Sequence, residues 1–162
     1  LERRRIDLAD VVRDVAAELG AGFRAKDVDL DLELQPAGAV ADEDRVAQIA
    51  RNLVSNALKF TPSGGRVRVA TRDQDGSALL EVSDTGGGMR PEDAARAFDR
   101  FWRGPEAAGV PGSGIGLTIA RELAVAHGGD ITVRSAPGRG STFRVTLPAG
   151  AAEDPHPTRP PA

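Results

Sequence analysis

Cysteine is absent from the 162 residues, which excludes disulfides and thiolate metal centres. Histidine is scarce: only His127 and His156 occur, too few for a zinc site built on imidazoles. No stretch approaches the roughly 18 uncharged apolar residues that a membrane-crossing helix requires. Positive charge is not in surplus either. The formal net charge is −3, so no overall basic field draws the chain to nucleic acid or to an anionic membrane surface. There is no Gly-x-x-x-x-Gly-Lys-Ser/Thr run, which removes P-loop nucleotide chemistry, and no internal repeat. Any phosphate binding must therefore be local. The first residue is Leu1 rather than Met, and the expectation is a soluble piece of a longer protein.

What is present suffices for one domain. The hydrophobic content is 40%, enough at this length to bury a core. The organising stretch is a helix expected from about Asp42 to Phe60. At about 100° per residue, Val46, Ile49, Ala50, Leu53, Ala57 and Phe60 fall on one apolar stripe. Asn52, Asn56 and Lys59 form a polar line beside it. Asparagine is a poor helix former because its amide competes for backbone groups, so two at i and i+4 followed by Lys suggest a ligand. Amide oxygens are hard donors suited to Mg²⁺, which reaches a protein through one or two oxygens plus substrate phosphates. The alternative is a solvated face.

Around this helix the pattern predicts an ordered series of elements. Residues 1–7 read as a connector. Leu8, Val11, Val12, Val15, Leu19 and Phe23 predict an amphipathic helix weakened at its end by Gly20 and Gly22. Val28 to Leu34 alternates as a strand with one buried face. After the turn at Thr61–Gly65, strands around Val67–Val69 and Leu79–Val82 predict a hairpin. A short helix is expected from Pro91 to about Ala97, and a last helix from about Gly114 to His127, stopped by Gly128 and Gly129. Strands over Ile131–Val133 and Phe143–Leu147 close the domain at residue 148. Residues 149–162 read as a disordered, Pro-rich tail.

Three further segments carry chemistry. Asp84 ends a strand and precedes Gly86 and Gly88, which let backbone approach a planar ligand. A buried carboxylate there could accept a hydrogen bond from an adenine amino group, although Asp-x-Gly is also a common turn. Gly112-Ser113-Gly114-Ile115-Gly116-Leu117 precedes a helix, whose bare amides suit phosphate oxygens. Its spacing differs from the dinucleotide Gly-x-Gly-x-x-Gly, and a Pro-containing loop rather than a strand precedes it. Phe98, Phe101 and Trp102 could anchor the stretch that follows, with Arg100 and Arg103 within reach of a terminal phosphate. His127 is explained as a helix-end residue interacting with the dipole.

In order, Asn-x-x-x-Asn-Ala-x-Lys-Phe-Thr-Pro, Asp-Thr-Gly-x-Gly-Met, Phe-x-x-Phe-Trp-Arg, Gly-Ser-Gly-Ile-Gly-Leu, His-Gly-Gly and Gly-x-Gly-Ser-Thr-Phe resemble the catalytic ATP-binding domain of two-component sensor histidine kinases over roughly residues 5–148. The resemblance implies an α+β, two-layer sandwich of the gyrase and chaperone ATPase type. A mixed sheet would be covered on one face by three main helices, with a mobile ATP lid. It implies that Asn56 ligates Mg²⁺ with Asn52 close by, that Lys59 lies near the phosphates, and that Asp84 reads adenine in a pocket shaped by Gly86 and Gly88. Gly112, Gly114 and Gly116, with Ile115 and Leu117 between and beside them, would form the lid hinge and phosphate contacts. Arg103 would stand near the γ-phosphate.

The implied reaction is phosphoryl transfer from ATP to a histidine on a separate dimerising hairpin, with a response-regulator receiver aspartate as destination. That hairpin is not in this sequence, so the chain is expected to bind ATP and Mg²⁺ without phosphorylating itself. A cytoplasmic location within a membrane-anchored parent is implied, and no nucleic acid partner. Two rivals are a nucleotide-sensing module that transfers no phosphate and an anti-sigma-factor-like serine kinase. Phe-x-x-Phe-Trp-Arg and His-Gly-Gly argue against the serine kinase.

Overall fold

The computed structural model describes residues 1–99 and 115–150 of the chain. Arg100, Phe101, Trp102, Arg103, Gly112, Gly114 and the tail beyond residue 150 lie outside the described residues. The elements are β1 (Arg4–Asp7), α1 (Leu8–Lys26), β2 (Asp29–Leu34), β3 (Gly38–Ala41), α2 (Glu43–Phe60), β4 (Arg66–Gln74), β5 (Ser77–Asp84), α3 (Pro91–Ala94), α4 (Gly116–Ala126), β6 (Asp130–Ser135) and β7 (Ser141–Pro148).

Five strands form one mixed sheet in the order β2-β4-β5-β7-β6. Only β2 and β4 run parallel; the other neighbours are antiparallel. A parallel pair needs a crossover, and the chain makes it through β3 and α2. The β4–β5 hairpin closes through Asp75 at φ 50° and Gly76 at φ 80°, the left-handed pair that a two-residue turn demands. Alternation sends Val67, Val69, Leu80, Val82, Phe143, Val145 and Leu147 into a core shared with Leu8, Val12, Val15 and Phe23 of α1 and with α2 and α4. The architecture is the α+β sandwich expected, with α1, α2 and α4 as the helical layer.

Helix α2 begins where the sequence places it. Asp42 caps it by accepting from the Arg45 amide, and Glu43 and Asp44 occupy its positive first turn, a cap worth about 1 kcal/mol. Val46, Ile49, Ala50, Leu53 and Ala57 are each 2% exposed or less. Phe60, expected on the same stripe, is only half-buried because the helix ends there.

Three local expectations change. Gly20 and Gly22 do not end α1, which continues to Lys26 and stops at Asp27 with φ 63°. A Cβ on Gly22 would sit 3.2 Å from the Leu58 side chain, so this glycine accommodates the close packing of α2. Within residues 1–7, Arg4–Asp7 form a strand that pairs antiparallel with Gly38–Ala41 as a two-stranded sheet. Asp7 fixes that corner: its Oδ1 accepts from the amides of Ala9 and Ala37. Finally, β2 is an edge strand whose apolar face is incompletely covered, leaving Leu32 37% exposed.

Candidate functional site

The polar line on α2 separates into groups with different duties. Asn52 is half-buried, and its Nδ2 donates to the Gly116 carbonyl at 3.0 Å, tying the middle of α2 to the first turn of α4. Asn56, one turn on, is half-buried, and its side chain makes no hydrogen bond with the described residues. Its amide is thus available. Lys59 is exposed in the last turn. The carbonyls of Leu58 and Lys59 accept from Lys26 Nζ at 2.7 and 2.9 Å, so a cation from α1 satisfies the end of α2 while the Lys59 ammonium is not spent on it.

Asp84 closes β5 and sits directly opposite Ser141 of β7. Its Oδ1 accepts from the Gly86 amide at 2.8 Å. Burial pushes the Asp84 carboxyl above the usual range, and the amides of Gly86 and Ser141 beside it pull it back only in part. Among the described residues no Lys or Arg pairs with it. A carboxylate that is desolvated without a cation is suited to accept from a neutral donor such as an amino group.

The loop after Asp84 is wedged between two backbones. A Cβ on Gly86 would lie 2.4 Å from the Phe60 carbonyl oxygen at the end of α2. One on Gly88, at φ +72°, would lie 2.0 Å from the Ala136 carbonyl oxygen in the β6–β7 turn. The first contact brings Asp84 beside the Asn56 and Lys59 end of α2. The spacing of Asp84, Gly86 and Gly88 is legible in sequence; that Gly86 meets α2 is not.

At α4, Ile115 is the N-cap residue and supplies no side-chain cap, so the first-turn amides of the helix keep their donors free of one. Gly116 and Leu117 are half-buried in that turn. Among the described residues, a Cβ on Gly116 would come no nearer than 4.0 Å to another side chain, that of Asn52. On the same helix, Thr118 Oγ1 donates to the Phe98 carbonyl at 2.8 Å, and the Arg121 guanidinium lies 5.3 Å over the Phe98 ring, which meets Phe143 edge-on. Phe98 is thus fixed against α4 and β7; the stretch it was expected to anchor lies outside the described residues.

His127 caps the end of α4, as expected, and does more. It is 5% exposed, its Nδ1 lies 2.8 Å from the Leu123 carbonyl, and its Nε2 accepts from the Asp42 amide at 3.1 Å. The acceptor at Nδ1 and donor at Nε2 fix the tautomer with the proton on Nδ1. His127 joins the end of α4 to the cap of α2 by hydrogen bonds. Sequence reasoning gave no part to Ser135, whose hydroxyl receives the Met89 amide at 2.8 Å; the signal available was its position five residues before the Gly140-Ser141 pair.

The residues that could hold a nucleotide and its metal therefore converge from α2, the β5–α3 loop and the start of α4. No group of three or more acidic, His or Cys side chains is assembled for a metal among the described residues. The oxygen donors available fit Mg²⁺, which takes few protein ligands when phosphates supply the rest.

The profile of the family described as histidine kinase-, DNA gyrase B-, and HSP90-like ATPases matches residues 41–151. The chain is 38% identical over 159 residues to sensor histidine kinase TmoS of Ectopseudomonas mendocina, covering 94% of this chain and 16% of that protein. Among solved structures it resembles the mycobacterial sensor histidine kinase MprB, with TM-score 0.77 and 29% identity over 90% of this chain and 97% of that one. It also resembles full-length ShkA in complex with AMPPNP, with TM-score 0.81 and 30% identity over 91% of this chain and 31% of that one. The chain thus corresponds to about a sixth of TmoS, and the match falls on the segment carrying the asparagine helix, the Asp84 loop and α4. It belongs to the histidine kinase-, DNA gyrase B- and HSP90-like ATPase family, as a catalytic domain of the sensor histidine kinase type.

Proposed function

We propose that this domain binds Mg-ATP and transfers the γ-phosphoryl group to a histidine on a separate helical hairpin of its parent protein, for relay to a response-regulator receiver aspartate. The observation that carries the reading is the juxtaposition of the cation-free carboxylate of Asp84 with the Asn56 and Lys59 end of α2, across the Gly86 contact. Family membership and the AMPPNP held by ShkA support it.

In this reading Asp84 accepts from the adenine amino group, with Gly86 and Gly88 letting the backbone close around it. Asn56 offers its amide oxygen to Mg²⁺, with Asn52 nearby, and Lys59 offers charge to the phosphates. When bound, Mg²⁺ neutralises phosphate charge and orients the transferred group. Gly116 and Leu117 present the first-turn amides of α4 to phosphate oxygens, and Ile115, Gly112 and Gly114 are assigned further phosphate contacts. Arg103 is assigned the γ-phosphate. Positioning supplies most of the rate, and a neutral imidazole needs no base from this domain.

His127 is not suited to be the acceptor, because both its ring nitrogens are engaged within the fold. The parent is proposed to be a membrane-anchored sensor with this domain in the cytoplasm; no described helix is long and apolar enough to cross a membrane. The test is incubation with radiolabelled ATP, Mg²⁺ and a supplied hairpin bearing an acceptor histidine. Acid-labile label on the hairpin, and none on the chain alone, is the expected result. Binding without transfer would favour a nucleotide-sensing module, and acid-stable label on a protein partner a serine kinase.

A further inference from the structure

The turn between β6 and β7 carries a hydroxyl pair with no part in the reading above. Ser135 Oγ accepts from the Met89 amide at 2.8 Å, lies 2.8 Å from Ser141 Oγ, and donates to the Gly140 carbonyl at 3.0 Å. A serine hydroxyl has one proton and two lone pairs. With the proton committed to Gly140, Ser135 accepts from both Met89 and Ser141, and its capacity is filled.

These bonds join the two walls of the Asp84 loop. Ser141 is the cross-strand partner of Asp84, and Met89 follows the run Gly86-Gly87-Gly88. The Gly138 amide donates to the Gly87 carbonyl at 2.8 Å, and a Cβ on Gly140 would fall 1.9 Å from the Asp84 carbonyl oxygen. Ser135 thus touches neither Asp84 nor the pocket, yet it is bonded to the far end of the loop and to the residue beside Asp84.

We infer that Ser135 is a positioning residue for base recognition: its hydroxyl sets the separation between the Asp84–Ser141 pair and the Gly88–Met89 end of the loop, and so the width of the slot that takes a purine. This rests on the nucleotide reading proposed above. Removing the hydroxyl leaves the Met89 amide and the Ser141 hydroxyl without their partner, while β6 and β7 keep their ladder of backbone bonds.

The test compares Ser135→Ala and Ser135→Thr in the 162-residue chain by calorimetric titration with Mg-ATP and Mg-GTP, and by amide exchange of Met89 without nucleotide. Ser135→Ala is expected to weaken ATP binding about tenfold and to reduce the preference for ATP over GTP. Met89 exchange should accelerate while Val82 and Val145 stay protected. Ser135→Thr, which keeps the hydroxyl, is expected to restore ATP affinity to within about threefold. Unchanged Met89 exchange overturns the inference. So does faster exchange with an unaltered ATP-to-GTP ratio, and so does an equal loss in the Thr variant. Wild-type chain that binds no ATP while Met89 is protected through Ser135 overturns the nucleotide reading instead, and with it the purine role.

Discussion

Strand β5 carries two carboxylates three residues apart in opposite circumstances. Glu81 lies on the sheet face away from the helices with its side chain 13% exposed, gripped by Arg144 at 2.6 Å and Arg72 at 3.2 Å. Burial would push its carboxyl up, but the bonds from Arg144 and Arg72 outweigh burial and hold it below the usual range. Asp84 has amide donors but no cation among the described residues, and burial wins. The same chemical group is committed to structure in one case and left unsatisfied in charge in the other. A carboxylate whose charge is already matched has nothing further to offer a ligand; one that is desolvated and unmatched does.

The largest effect should come from the unmatched group. Asp84→Asn is expected to weaken Mg-ATP binding by about a hundredfold, since a charge-assisted acceptor is replaced by an amide of wrong polarity. Its melting temperature should be unchanged or raised, because the cost of burying the charge is removed. Loss of stability in parallel with binding would erase the distinction between the two carboxylates. Asn56→Ala should behave alike, losing about tenfold or more in Mg²⁺-dependent binding with little change in melting, because the amide has no described partner to lose.

Glu81→Ala should show the reverse: normal ATP affinity by titration, and a destabilisation of about 1–2 kcal/mol in denaturant unfolding. Both arginines are about a third exposed and can recover hydration, which limits the loss. The smallest effect is the dependence on pH. The folded carboxyl of Glu81 titrates below its unfolded value of about 4.3, so its contribution is present above that pH and is lost as pH falls through the folded value. Asp84 is raised, so its contribution is full below about pH 3.9 and lost as pH rises through the folded value. Unfolding measured against pH should therefore lose part of its acid slope in Glu81→Gln and part of its opposing slope above pH 4 in Asp84→Asn.

How much of this was legible in sequence depends on the range of the interaction. The α2 stripe, its Asp42 cap and the Asp75-Gly76 turn are local, and the residues state them. Asn52, Asn56, Asp84 and the glycines were recognisable as a set because their order resembles a family. What separates Asn52 from Asn56 is not local: the Gly116 carbonyl comes from 64 residues away. Strand β1 was missed because Arg4-Arg5-Ile6-Asp7 is short and charged, and it becomes a strand only through β3. The place of His127 at a helix end is local, but its second partner, the Asp42 amide, lies 85 residues away in sequence. Gly22 looks locally like a helix weakness, yet it accommodates a neighbouring helix.

The three consecutive glycines after Thr85 lead to a statement about tolerated variation. Gly86 and Gly88 abut backbone oxygens that no change of rotamer can move, whereas Gly87 has nothing within 4 Å of the position a Cβ would take and no positive φ. In a saturation library selected for folding, position 87 should accept most side chains while positions 86 and 88 return glycine alone. Drift at this loop is then confined to a single letter, whose side chain decides only what the loop shows to its surroundings.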